Sequence, residues 1–238
     1  MSFLPSENPS FVVSPMDYNK AGAFYQSSGG CGIQGQMNLD KIYSALGVDV
    51  YQNSNAFNAA ALQFATHSYT TSRNFHVGFG ARAELSNYET QPFAYALGLN
   101  VMSNPAGKFM VGAAFKSSDL QVMPFGNEVK NVLRVISTQV GWSFLNLTRR
   151  STLAFSGIYK RGFEEESKLR QYQAGFNFST RKYAVGMGVR TWDNLHSGAY
   201  VRGMLIYRKF VCVYTALASD KNKSLQQLNH EISLQYKF

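Results

Sequence analysis

The chain has 238 residues, of which 16% are charged, 14% are aromatic and 20 are glycines, and its formal net charge is +9. Soluble domains usually carry about a quarter charged residues, so the charged content is low. A mean hydropathy of −0.20 and the lack of any apolar run of ~18 residues exclude a bundle of membrane-spanning helices.

Alternation between apolar and polar residues recurs from the first third of the chain onward. Phe75, Val77 and Phe79 alternate with polar residues or glycines, and the same pattern recurs in 93–101, 172–179 and 183–190. Side chains of a strand alternate between two faces, so each segment has one apolar face and one polar or glycine face. Segments of about ten residues with this pattern are typical of strands in transmembrane β-barrels.

The end of the chain carries the clearest such pattern. Ile232, Leu234, Tyr236 and Phe238 alternate with Glu231, Ser233, Gln235 and Lys237. By itself this segment also fits the edge strand of a soluble sandwich. Its recurrence along the chain favours a barrel with lipid outside, a polar lumen inside and an aromatic residue at the interface.

We therefore predict an all-β protein, a transmembrane antiparallel β-barrel of about 14 strands in the bacterial outer membrane, with both termini in the periplasm. Residues 1–19 are expected to form a periplasmic or lumen-plugging segment, and residues 20–238 the barrel. Residues 1–4 lack the basic and apolar segments of a signal peptide, so we expect the numbering to begin near a mature N-terminus. The predicted strands lie near 20–28, 30–38, 43–52, 56–70, 74–86, 92–102, 108–117, 131–144, 151–163, 168–179, 182–190, 199–208, 210–218 and 228–238.

Loop lengths and basic residues indicate which end of the barrel faces the periplasm. Short turns at 180–181 and 208–209 alternate with longer connections at 118–130, 162–167, 191–198 and 219–227, and bacterial barrels have short periplasmic turns. The turns assigned to the periplasm carry eight bases: Arg73, Lys108, Arg149, Arg150, Arg181, Lys182, Arg208 and Lys209.

These eight bases are predicted to form a partner-binding periplasmic rim. They stand at turns rather than along one groove or helix, so we expect no nucleic-acid partner. Two interpretations remain open. The bases contact anionic lipid headgroups, or they dock an acidic periplasmic protein.

No arrangement of residues indicates catalysis or metal binding. The four histidines, His67, His76, His196 and His230, do not stand in a metal-ligand spacing. A serine nucleophile beside lumen-facing His76 is the one catalytic alternative left open. The acidic run 164–166 is explained as a solvated loop. We therefore expect no enzymatic activity, no cofactor and no metal.

The lumen face carries glycines and a few charges. Gly78, Gly80, Gly98, Gly186 and Gly188 predict that something packs closely against the wall, and the stretch before residue 20 is the candidate. An alternative that stays open is a constriction across which charged residues of the same face pair: Arg82, Glu84, Arg190 and Glu231. Cys31 and Cys212 are expected to remain unpaired.

Five segments carry a resemblance to a known family. They are Gly47–Asn53, Arg73–Gly80, Tyr183–Arg190, Tyr207–Phe210 and the closing Asn229–Phe238. In these segments the chain resembles the PorP/SprF-type outer-membrane proteins of the type IX secretion system of Bacteroidota. The resemblance covers about residues 43–238, and the closing segment is its most specific part.

The resemblance implies a non-catalytic accessory of type IX secretion and gliding. Its implied partners are outer-membrane lipid, periplasmic components of the secretion system and secreted surface adhesins, in a hetero-complex. The early Asn-Pro-Ala-x-x-Gly segment of the family is reduced here to Asn8-Pro9-Ser10, without the glycine. The alternative that the residues leave open is a porin-like channel for small solutes.

Overall fold

The computed structural model describes residues 8–12, 19–27, 30–39, 42–52, 58–69, 75–87, 92–103, 109–122, 129–148, 151–163, 170–180, 182–191, 197–219 and 229–238. A 3-10 helix at Pro9–Val12 belongs to what we call the N-terminal segment, residues 8–12. The strands are β1 (Lys20–Gln26), β2 (Gly30–Leu39), β3 (Ile42–Gln52), β4 (Asn58–Tyr69), β5 (Phe75–Ser86), β6 (Phe93–Ser103), β7 (Phe109–Val122), β8 (Val129–Thr148), β9 (Ser151–Gly162), β10 (Arg170–Thr180), β11 (Tyr183–Thr191), β12 (Ser197–Tyr207), β13 (Phe210–Ser219) and β14 (Asn229–Lys237).

The strands form one closed antiparallel barrel. Each strand pairs with the next along the chain, and β1 pairs with β14, with Phe24 opposite Ser233. The predicted fold class is confirmed, including the number of strands. Lys20 and Lys237 lie opposite each other at one end, which we call the terminal rim, and the other end is the outer rim. The shortest connections join strands at the terminal rim, as the periplasmic turns of bacterial barrels do.

Apolar side chains cover the exterior of the barrel. The five residues predicted to face lipid are 40–52% exposed: Leu97, Phe176, Val185, Leu234 and Tyr236. Aromatic contacts flank this band on both sides: Tyr159–Tyr172 and Tyr214–His230 toward the outer rim, Phe178–Tyr183 and Phe210–Tyr236 toward the terminal rim. An apolar exterior between aromatic girdles is the surface that a barrel presents to lipid.

The β7–β8 hairpin differs from its prediction. The connection expected at 118–130 is wrong, because Val122 pairs with Val129 and Leu120 with Asn131. Beyond the lipid, both faces of a hairpin meet water, so its residues need no apolar face and the period-two signal is lost. Backbone hydrogen bonds extend the hairpin where the hydropathy pattern no longer marks a strand.

Within the described ranges, no helix is long and apolar enough to cross a membrane. Cys31 and Cys212 are free and exposed.

Candidate functional site in the barrel lumen

The N-terminal segment is buried inside the barrel. Asn8 and Ser10 have no exposed surface. The Asn8 amide nitrogen donates to the carbonyl oxygens of Leu99 on β6 and Ala113 on β7, at 3.2 and 3.3 Å. It also donates to Oε1 of Gln139 on β8, at 3.1 Å. One side chain therefore attaches the segment to three neighbouring strands.

Ser10 forms a second attachment. Asn100 Nδ2 donates to the Ser10 hydroxyl at 2.8 Å and to the Ser10 carbonyl at 3.3 Å. His67 Nε2 lies 2.8 Å from the same carbonyl and donates to it when protonated. The Ser10 backbone nitrogen and hydroxyl donate to Asn8 Oδ1, at 3.0 and 2.7 Å. Buried polar groups are costly without partners, so this network explains why a polar segment is stable in the lumen.

Glycines on β5 and β6 make room for this segment. A Cβ atom at Gly80 would overlap the backbone of Pro9 and Ser10, and one at Gly98 would overlap Asn8 Oδ1. A Cβ atom at Gly78 would overlap His67, which binds Ser10. For β5 and β6 the structure confirms that glycine permits close packing against the wall.

The same prediction is wrong for β11. A Cβ atom at Gly186 would meet Asn177 Oδ1, and one at Gly188 would meet the Ala174 carbonyl and the Tyr200 ring. These two glycines accommodate side chains and backbone of the wall itself. An alternating strand pattern shows that a glycine faces the lumen but does not identify its neighbour.

A buried ionic cluster lies on β3, β4 and β5. Arg82 NH1 pairs with Asp49 Oδ2 and donates to Gln63 Oε1 at 3.2 Å. Arg82 NH2 pairs with Glu84 Oε2 at 3.2 Å. Asp49 is 3% exposed and Arg82 is 7% exposed. The alternative of pairing across the lumen therefore does not hold for Arg82 and Glu84, because their partners lie on the same part of the wall.

Further charged side chains face the lumen from the other strands. Lys116 on β7 and Arg202 on β12 lie near mid-strand, whereas Lys160, Arg190 and Glu231 lie within two residues of the outer ends of β9, β11 and β14. Gln26 Nε2 donates to Glu231 Oε2 at 3.0 Å. The ionic cluster and these residues surround the outer half of the lumen, whereas the N-terminal segment lies from mid-strand toward the terminal rim.

Three of the eight predicted rim bases lie within the described residues. Arg208 stacks over Tyr207 at 5.4 Å from the ring centroid, and Lys209 lies 5.7 Å from the Tyr236 ring centroid. Lys182 is exposed beside the turn before β11. The other five lie outside the described residues: Arg73, Lys108, Arg149, Arg150 and Arg181.

Among the described residues, no three His, Cys, Asp or Glu side chains are arranged to hold a metal ion. His76 faces the lumen, as expected, and is 1% exposed. His230 lies on the exterior, where its Nδ1 is 2.7 Å from the Tyr214 hydroxyl.

The residues that hold the N-terminal segment are not identified by the sequence pattern alone. Asn100 lies on the same face of β6 as Gly98, and His67 lies on the lumen face of β4, so the period of two could have marked both as lumen residues. Their contact with Ser10 joins positions 90 and 57 residues apart, and no local pattern encodes such a pairing.

No protein-family model matches the chain, and no curated protein matches its sequence. Solved structures match its fold. The crystal structure of the Acinetobacter baumannii outer membrane protein Omp33 is 11% identical, with 92% of this chain and 96% of that chain covered and a TM-score of 0.62. A bacterial polysaccharide outer membrane secretin is 9% identical, with 92% and 97% covered and a TM-score of 0.51. KdgM porin is 11% identical, with 92% and 98% covered and a TM-score of 0.48. With its closed sheet and lipid-facing band, the chain has the fold of bacterial outer-membrane β-barrels.

Proposed function

We propose that the protein is a non-catalytic outer-membrane channel for small polar solutes, with a preference for anions. The observation that supports this function is the ionised lining of the lumen. Ionised groups on non-adjacent strands are costly to bury unless they are paired or hydrated, so a lumen lined by them is stable when it contains water. On the described parts of this face, bases outnumber acids: Lys20, Arg82, Lys116, Lys160, Arg190, Arg202 and Lys237 against Asp49, Glu84 and Glu231.

In this proposal the N-terminal segment narrows the channel. Its hydrogen bonds go to β4, β6, β7 and β8, so it covers one side of the lumen. The pathway for solutes then follows the opposite wall, where Arg190 and Arg202 lie. We expect a small, steady conductance from the full chain rather than the large currents of an open porin.

Planar-bilayer recording under a salt gradient tests the channel. The reversal potential of the wild-type protein should lie toward the equilibrium potential of the anion. The reversal potential of R190E should lie closer to the equilibrium potential of the cation, because the variant replaces a lumen base with an acid. R208E, which changes a base at an exposed turn, is the matched control and should behave as wild type. Conductance no greater than that of protein-free lipid, both for wild type and for N8A, would exclude the channel.

A second candidate is the secretion accessory that the sequence resemblance implies. The observation that favours it is the burial of Asn8-Pro9-Ser10, because this reduced form of the family's early segment lies inside the lumen and narrows it. We propose under this reading that the barrel binds components of a secretion system or surface adhesins. Affinity purification of the tagged full chain from native membranes tests it. Reproducible recovery of such partners would support the role, and purification of the barrel alone would contradict it.

A further inference from the structure

Three arginines lie together on the exterior of the barrel near the outer rim. Arg161 on β9 lies directly opposite Arg170 on β10. On its other side, Arg161 lies opposite Ile136 on β8. Arg134 precedes Ile136 by two residues on β8 and lies closer to the outer rim. All three arginine side chains are exposed. Residues directly opposite in antiparallel strands have Cβ atoms about 5 Å apart. Arg134 lies diagonally from Arg161, one exterior row closer to the outer rim, so the three arginines lie on one exterior surface, which we call the arginine patch (Arg134, Arg161 and Arg170).

This arrangement costs free energy in the isolated chain. Like charges directly opposite each other destabilise a sheet. Arg134 also has a φ of 52°, in the left-handed region that a residue with a Cβ atom rarely adopts. Within the described ranges no carboxylate pairs with the three arginines. An anion bound between Arg161 and Arg170 would reduce the repulsion between these two described side chains.

The side chains below the patch define its depth in the membrane. Tyr159 and Tyr172 lie opposite each other one exterior row closer to the membrane centre, with ring centroids 5.1 Å apart. Phe155 and Phe176 lie opposite each other farther down, at 5.6 Å. Tyrosine rings mark the boundary between hydrocarbon and headgroups. The arginines, one row farther out, lie at the level of the headgroups.

The patch is local to β8, β9 and β10. On the other strands, the described exterior positions near the outer ends carry no lysine or arginine, and many are apolar, as are Tyr25, Val50, Leu85, Phe93 and Val189. A general attraction to charged headgroups would not require three bases on adjacent strands. Arginine binds phosphate through two parallel hydrogen bonds, so a pair of opposed arginines is suited to a phosphate group.

We propose that the arginine patch binds a phosphorylated glycolipid of the outer leaflet, of the lipid A class. Its phosphate lies between Arg161 and Arg170, and its acyl chains run down the exterior over Tyr159 and Tyr172 toward Phe155 and Phe176. This site is independent of whether the lumen conducts solutes.

Native mass spectrometry of the full-length protein, delipidated in detergent and titrated with lipid A, tests the site. The double variant R161Q/R170Q should bind lipid A about tenfold more weakly than wild type, because the charge-assisted hydrogen bonds to the phosphate are lost. Enzymatically dephosphorylated lipid A should bind wild type as weakly as intact lipid A binds the double variant.

The control variant R190Q/R202Q removes two bases that face the lumen instead of the exterior and should bind lipid A as wild type does. The site is overturned if R161Q/R170Q retains wild-type binding, if the control loses binding equally, or if dephosphorylated lipid A binds wild type with unchanged affinity. Heat-modifiable migration on SDS gels checks that each barrel is folded. If the double variant does not fold, R170Q alone serves in its place, and unchanged binding by R170Q counts against the site.

Discussion

Asn8 and Ser10 show how few side chains hold the N-terminal segment in the lumen. The carboxamide of Asn8 reaches three strands, and Ser10 meets a histidine and an asparagine that face the lumen from β4 and β6. Gly98 is the wall position that lies against Asn8. The position of the segment therefore depends on a few hydrogen bonds, and Asn8 can form its bonds because Gly98 has no Cβ atom.

Replacing Gly98 with alanine should displace the segment and raise the single-channel conductance. The added Cβ atom would overlap Asn8 Oδ1, so the segment must move away from the wall. G35A is the matched control, because a Cβ atom at Gly35 meets no other atom within 4 Å. Bilayer recording measures both variants. Equal conductance for G98A and G35A would show that the segment does not limit the current.

Replacing Arg82 with glutamine should destabilise the barrel by about 3–5 kcal/mol, because Asp49 would keep a buried charge without its partner. Unfolding by urea in detergent micelles measures the loss. The double variant D49N/R82Q should recover much of the stability, because it buries no unpaired charge. A double variant as unstable as R82Q would indicate that packing, not charge, dominates this cluster.

Strands are the scale at which sequence was most informative. Period-two alternation in residues 75–85 and 93–101 predicted which faces of β5 and β6 meet lipid, because lipid on one side imposes that pattern. The pattern did not predict the ends of β7 and β8, which pair beyond the membrane. It also marked the lumen glycines without identifying what packs on them, because contacts across the lumen join residues far apart in sequence.

On β14, replacing Leu234 with arginine should cost roughly 2–4 kcal/mol of folding stability, because the charge would enter the hydrocarbon region. Phe238 lies at the interface, so F238R is the control and should cost only about 0–1 kcal/mol. Denaturant titrations in lipid vesicles compare the two. Equal costs at both positions would contradict the assigned depth of β14.

The whole barrel is polarised along its axis. Most charged lumen residues lie in the outer half, and the N-terminal segment extends from mid-strand toward the terminal rim. At that rim Lys20 and Lys237 face the lumen, and Arg208 and Lys209 pack on aromatic rings. Such packing suits bases that lie at the membrane interface. The composition indicates that basic residues outnumber acidic ones, but it does not predict where along the barrel axis they lie. Their positions depend on closure of the sheet, which places residues far apart in sequence around one lumen.

Charge reversal at the terminal rim should distinguish lipid contact from protein docking. If the bases bind headgroups, R208E/K209E and R181E/K182E should weaken binding to anionic vesicles similarly, by about 1 kcal/mol per base. If they dock a protein, one pair should lose a co-purifying partner and the other should not, because charge-assisted pairs need defined geometry. Vesicle flotation and purification from native membranes measure these outcomes. Unchanged vesicle binding and unchanged partners in both variants would exclude both roles for these turns.

The pairing of β1 with β14 also determines when the barrel can close during folding. It joins residues 20–26 to residues 231–237, so the ring cannot close until the end of the chain has been delivered. Contacts of such large sequence separation slow folding, and assembly should be limited by the arrival of β14. Until then β1 and β13 each present an unpaired edge, which in a crowded membrane can pair with another chain. A chain that ends before residue 229 should therefore form mixed oligomers instead of an isolated barrel.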